Sequence, residues 1–105
     1  MYQRLNAQEF EELFTKNQDA LEIIDVREEY EFNEIRIKKA KIIPMDEIPN
    51  RLAEINWEKQ VILACRSGSR SGYIAQYLDN MGKQVFNLEG GIALLAQVAP
   101  DCLEK

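Results

Sequence analysis

One stretch restricts the fold of this chain more than any other. It is Val61-Ile-Leu-Ala-Cys65-Arg-Ser-Gly-Ser-Arg-Ser-Gly72, continued by Tyr73-Ile-Ala-Gln-Tyr-Leu-Asp-Asn-Met81. Four apolar residues lead into Cys65, and a run of small and basic residues follows it. Beyond that run, apolar groups at 74, 77, 78 and 81 have the i, i+3, i+4, i+7 spacing of one helix face. The pattern predicts a buried strand, a tight loop and a helix, with a thiol where the loop begins.

Such a loop has a definite chemistry. A strand-to-helix turn leaves backbone N–H groups without partners at the helix start. Gly68 permits backbone conformations that other residues avoid. Amides curling round one point make an anion nest, and the helix dipole adds partial positive charge. Arg66 and Arg70 add two full charges. A cysteine beside this cradle loses its proton readily, because the same donors stabilise the thiolate. The plainer reading is a buried cysteine that ends a strand beside an ordinary Ser/Gly turn. The flanking arginines and the helix start tip the balance toward a reactive thiol.

These residues also carry a likeness. Cys65-Arg-Ser-Gly-Ser-Arg70 resembles the active-site loop of the rhodanese (sulfurtransferase) family. Asp25-Val-Arg27, followed by Glu28-Glu-Tyr-Glu-Phe32, is similar to the family's N-terminal signature, and Gly82-Lys-Gln-Val-Phe-Asn-Leu-Glu-Gly-Gly91 to its C-terminal one. Each segment alone is a weak signal; in family order and spacing the three are specific. The resemblance implies an α/β, three-layer fold of about five mostly parallel strands with helices on both faces. It implies that Cys65 takes sulfane sulfur from thiosulfate or a persulfide donor, holds it as a persulfide, and passes it to cyanide, a thiol or an acceptor protein. Arg66, Ser67, Gly68, Ser69 and Arg70 would bind the substrate, with the arginines orienting the donor's oxyanion and Arg70 also bracing the loop. Ser67, Ser69 and Ser71 either donate further bonds or, the preferred reading, are simply small turn residues. In the family the Asp25 and Arg27 positions are mostly structural. No cofactor is implied. Where the family continues Gly-His-Ile and then Gly-Ala, this chain has Ile35-Arg36-Ile37 and then Lys39-Ala40, a departure that bears on loop shape more than on sulfur chemistry.

Other readings of a cysteine–arginine loop stay open beside this one. A cysteine phosphatase or arsenate reductase has five residues between its cysteine and arginine; here four separate Cys65 from Arg70 and the next residue is Ser71, too tight a loop for a phosphoryl group. A non-enzymatic sulfur relay or partner-binding module is the other alternative.

Composition sets the remaining bounds. The 105 residues suit one domain, 1–105, with a modest core. A net charge of −5 argues against a nucleic-acid surface. No apolar run reaches membrane-spanning length, and the Met-Tyr-Gln-Arg-Leu-Asn start is unlike a signal peptide, so a cytoplasmic setting with reduced thiols is expected. The absence of histidine removes Cys–His catalysis and most zinc sites, so no metal is expected.

Along the chain, residues 2–5 read as an edge strand, and Asn6 with Glu9 as a capping box opening a helix whose stripe is Phe10, Leu13 and Phe14. Leu21–Val26 reads as a strand. At its end Asp25 and Arg27 either touch substrate or, the preferred reading, brace neighbouring loops. Glu28–Glu34 suits a short surface helix with Tyr30 or Phe32 turned inward and its acids solvated. Arg36, Lys38, Lys39 and Lys41 form a basic cluster, a solvated flank or a docking patch for an acidic partner. Lys41–Pro44 reads as a strand, followed by a helix capped by Asp46, with Pro49 in its first turn and Ile48, Leu52 and Ile55 on its apolar side. Trp57 is assigned to packing rather than to the site rim. Gln84–Asn87 reads as a strand, Gly90-Gly91 as a flexible turn, and Ile92, Leu94, Leu95 and Val98 as a last apolar segment. Cys102 is either a resolving thiol for Cys65 or an incidental residue of a loose tail, and the second is preferred. Strands alternating with helices predict a parallel sheet covered on both faces, with the ligand site at the strands' carboxyl ends.

Overall fold

The computed structural model describes residues 1–105. In chain order the elements are β1 Gln3–Leu5, α1 Ala7–Asn17, β2 Leu21–Asp25, α2 Glu29–Glu34, β3 Arg36–Ile37, β4 Lys41–Ile42, β5 Gln60–Ala64, α3 Ser69–Asn80, β6 Phe86–Leu88, α4 Gly91–Val98 and β7 Leu103–Glu104. Five strands form one parallel sheet in the order β1-β6-β5-β2-β4. The strand that ends at Cys65 is therefore the central one. Strands β3 and β7 make a separate antiparallel ribbon, which the sequence pattern did not foresee.

Alternation along β5 shows why this strand must be central. Val61, Leu63 and Cys65 point to one face, and Ile62 and Ala64 to the other; all five are buried. On the first face they meet Ile74, Ala75 and Leu78 of α3, with Ile24, Val26, Ile43, Ile48 and Ile55. On the second face the sheet packs against Phe10 and Phe14 of α1 and Ile92 and Leu95 of α4. A strand buried on both faces needs apolar residues without interruption, and Val61–Ala64 supplies them. Each fully buried aliphatic side chain contributes about 1.5–3 kcal/mol.

The local signals at α1 were sufficient. Asn6 Oδ1 accepts from the Glu9 amide, Glu9 Oε1 accepts from the Asn6 amide, both at 2.8 Å, and Phe10 and Phe14 are buried. Residues 45–50 depart from expectation: Met45–Asn50 is a 3-10 helix capped by Pro44, not an α-helix capped by Asp46. Pro49 has no N–H to give to the carbonyl four residues back, so the segment tightens instead. Trp57 is half-buried against the α3-side core, and its Nε1 donates to Leu52 O at 3.2 Å.

Side-chain positions decide three further readings, and one of them, the loose tail, is overturned. Of the two aromatic candidates on α2, Phe32 is the one that turns partly inward, while Tyr30 is 68% exposed. The tail is not loose: Cys102 is 3% exposed in the α1–α4 core, and β7 clasps β3. The basic cluster stays at the surface as a flank, with Arg36 on Glu104, Lys39 on Asp19 and Lys41 on Glu22, and the two lysine side chains 58% and 50% exposed. The departure at Lys39 has a visible cost. Its φ is +70°, the only left-handed non-glycine residue in the chain, at a position where the resembling family has glycine.

Candidate active site

The thiol loop leaves the carboxyl end of β5 and enters α3 four residues earlier than the apolar spacing alone suggests. Gly68 caps the helix with φ +99°, and Gly72 N donates to Gly68 O at 3.0 Å. A helix that begins at Ser69 places the first-turn amides beside the sulfur. Cys65 Sγ accepts from Gly68 N at 3.1 Å, from Ser71 N at 3.4 Å and from Ser71 Oγ at 3.3 Å. The Cys65 side chain has no exposed surface. Burial is the largest single influence on its pKa and pushes it up. The Ser71 hydroxyl, then the amides of Ser71, Gly68 and Ser67, together outweigh burial and bring the thiol below its ordinary value.

The carbonyl side of the same peptides is held by α4. Ile92 N donates to Cys65 O and Ala93 N to Arg66 O, each at 2.9 Å. This approach requires Gly91: its φ is +61°, and a Cβ there would lie 2.3 Å from Arg66 O. The Gly90-Gly91 pair is thus the start of α4 rather than a free turn.

The anticipated site residues divide into distinct positions. Gly68 touches the sulfur through its amide. Ser67 and Ser69 are exposed, with their hydroxyls 3.5 Å from each other. Arg66 is exposed and pairs with no carboxylate; it borders a depression of ≈ 200 Å³ shared with Arg27, Ile35, Ile92, Ala93 and Ala96. Larger depressions of ≈ 310 and ≈ 370 Å³ lie along Tyr2–Val85 and along α1, away from Cys65. Arg70 turns from the sulfur to α2: Nη1 and Nη2 donate to Glu31 Oε1 and Oε2 at 2.9 and 3.0 Å. This bidentate bond, ahead of burial, lowers the Glu31 carboxyl to about 2. It also raises the Arg70 guanidinium, with a smaller contribution from Cys65. Asp25 and Arg27 are buried together, joined by four bonds of 2.8–3.1 Å, and Arg27 Nη2 also donates to Ile35 O at 2.7 Å. That geometry fastens the end of β2 to the turn after α2.

At two residues of the site the preferred sequence reading fails. Ser71 looked like one more small turn residue until α3 was seen to begin at Ser69. Glu31 looked like part of a solvated acidic face. The available signal was its spacing from Glu28, whose amide donates to Glu31 Oε1 at 3.0 Å and so fixes that side chain. Cys102 packs in the core on the opposite face of the sheet from Cys65, and both thiols are free.

The chain was compared with known proteins. The family profile described as "Rhodanese-like domain" matches residues 6–97. A putative sulfurtransferase of Bacillus subtilis is 39% identical over 74 residues, 70% of this chain and 72% of that protein. A sulfurtransferase of Allochromatium vinosum is 33% identical over 107 residues, covering 96% of this chain and 99% of the relative. Among solved structures, the reduced CoADR-RHD of Bacillus anthracis superposes with a TM-score of 0.88 at 29% identity. That match covers 99% of this chain, which spans only 18% of the larger protein.

Proposed function

The chain belongs to the rhodanese-like domain family, alongside relatives named sulfurtransferase, and from that premise we propose that it transfers sulfane sulfur through Cys65. The carrying observation is the convergence of three donors, at 3.1–3.4 Å, on one buried sulfur. Donors so placed stabilise a thiolate and, one atom further out, the terminal sulfur of a persulfide.

The reaction proceeds in two displacements. The Cys65 thiolate attacks the outer sulfur of thiosulfate. A bond forms between the two sulfurs, the bond to the inner sulfur breaks, and sulfite leaves with the electron pair, giving Cys65–S–S⁻. Cyanide or a thiolate then attacks the outer sulfur of the persulfide. It takes that sulfur as thiocyanate or as a new persulfide and restores the Cys65 thiolate. Neither step moves a proton at Cys65, which suits a chain without histidine. Because Cys65 has no exposed surface, the donor enters past the exposed loop members Arg66, Ser67 and Ser69. The unpaired Arg66 guanidinium attracts its oxyanion, while Arg70, clamped on Glu31, fixes the loop.

The same geometry weighs against phosphoryl chemistry. Two loop amides, those of Gly68 and Ser71, are directed at the sulfur, and Arg70 is committed to Glu31 rather than to an anion in the loop.

The test is intact-protein and peptide mass spectrometry after thiosulfate treatment. One added sulfur atom on the Cys65 peptide, removed by cyanide and absent in Cys65→Ser, is the expected result. Folded protein that gains no sulfur refutes the proposal.

A further inference from the structure

Asn87 lies on β6, in register with Leu63 of β5, and is 2% exposed. Its Nδ2 donates twice: to Gly68 O at 3.1 Å and to Glu89 Oε2 at 2.8 Å. Its Oδ1 is buried and accepts nothing, an unfavourable state for a polar atom. Turning the amide over would be worse. It would set Oδ1 against the Gly68 carbonyl and the Glu89 carboxylate, neither of which can donate. The first turn of α3 passes directly above, and a Cβ on Gly72 would come within 3.3 Å of Nδ2. The polar end of Asn87 thus sits under the thiol loop, held by one acid and holding one carbonyl.

That carbonyl belongs to the residue whose amide donates to the sulfur. Gly68 has φ +99°, so its N–H and its C=O are directed by a single unusual backbone state. Gly68 O is fixed from two sides, by Gly72 N at 3.0 Å and by Asn87 Nδ2. We propose that Asn87 is a positioning residue for the thiol loop: by binding Gly68 O it keeps the Gly68 N–H aimed at Cys65 Sγ, and the Glu89 carboxylate keeps the Asn87 amide in the orientation that allows this. The inference rests on, and deepens, the reading of Cys65 as a nucleophilic thiolate. It assigns part of that reactivity to a residue that touches neither the sulfur nor the donor.

The test follows the pH dependence of Cys65 alkylation by iodoacetamide, read peptide by peptide in the mass spectrometer so that Cys102 is counted separately. Other charges near the loop are Arg66, Arg70 with Glu31, and the Asp25–Arg27 pair; all stay in place. Asn87→Leu keeps the branched shape and the number of side-chain heavy atoms, removes the orphaned oxygen and removes the donor. Its alkylation midpoint is expected to rise by about one pH unit, so that at pH values below the original midpoint the reaction is about tenfold slower. Glu89→Ala and Glu89→Gln remove the same charge at a half-buried position, but only glutamine still accepts from Nδ2, so the midpoint in Glu89→Ala is expected to lie above that in Glu89→Gln. A midpoint equal to that of the unsubstituted chain in folded Asn87→Leu overturns the proposal. If that variant does not fold, equal midpoints in Glu89→Ala and Glu89→Gln overturn it. The readout needs no sulfur donor. A chain that takes no sulfur from thiosulfate, yet whose midpoint moves with Asn87, refutes the transfer reading and leaves the positioning role standing.

Discussion

Replacing Glu31 by glutamine removes one charge from the clamp between α2 and the thiol loop while keeping a side chain of the same size. The carboxyl is lowered from 4.5 to about 2, chiefly by its bonds to Arg70. At about 1.36 kcal/mol per pKa unit this is at most about 3 kcal/mol of pairing energy. The Glu31 side chain is 15% exposed, but that of Arg70 is 35% exposed. Water therefore screens the pair, and about 1–2 kcal/mol is the realistic contribution. The sign follows from linkage: a carboxyl depressed in the folded state adds its full stability above the unfolded pKa of 4.5 and loses it as pH falls toward about 2. Urea unfolding, followed by the fluorescence of Trp57, should find Glu31→Gln less stable by about 1–2 kcal/mol near neutral pH. That gap should close between pH 4.5 and about 2, and it should narrow in concentrated salt. A gap that does not change with pH, or none near neutrality, would refute the assignment of this bond as a charged clamp.

Other expectations concern single positions. Ser71→Ala removes the hydroxyl 3.3 Å from Cys65 Sγ, and the midpoint of Cys65 alkylation should rise by about one unit, as expected for a lost hydrogen bond to an anion. Gly91→Ala forces a Cβ to 2.3 Å from Arg66 O; thermal and chemical unfolding should show a loss of more than about 2 kcal/mol. Lys39→Gly relieves a left-handed lysine at φ +70° and should raise stability by about 0.5–1 kcal/mol, measured by the same unfolding curves. Cys102, whose thiol is raised by burial, should alkylate much more slowly than Cys65 in native protein. The two cysteines, on opposite faces of the sheet, should form no intramolecular disulfide, as a peptide map under oxidation will show.

Features that reside in local chemistry were legible in the sequence. The Asn6–Glu9 box, the two-sided apolar run before Cys65 and the glycine at 68 each state their conformation within a few residues, and together they placed the thiol at the end of the central strand. What stayed hidden depends on partners distant in the chain. Arg70 and Glu31 are 39 residues apart, and nothing near either residue marks the other as its counterpart. Ser71 was obscured because small residues before an apolar stripe read as loop, whereas Gly68 starts the helix early and turns that serine onto the sulfur. The tail misled for a related reason: Cys102 and Leu103 are buried by contact with α1 and β3, and polar neighbours in sequence conceal such contacts. Lys39 shows the reverse case, where the family glycine named the backbone state and this chain adopts that state without the glycine.

The amides of Ile92 and Ala93 are bonded to the carbonyls of Cys65 and Arg66, while the amides of Gly68 and Ser71 face the sulfur. The loop is gripped on both sides of one backbone, so it cannot swing open without fraying the first turn of α4. Deuterium uptake at those two amides therefore clocks the seating of the loop from a place the sulfur chemistry never touches.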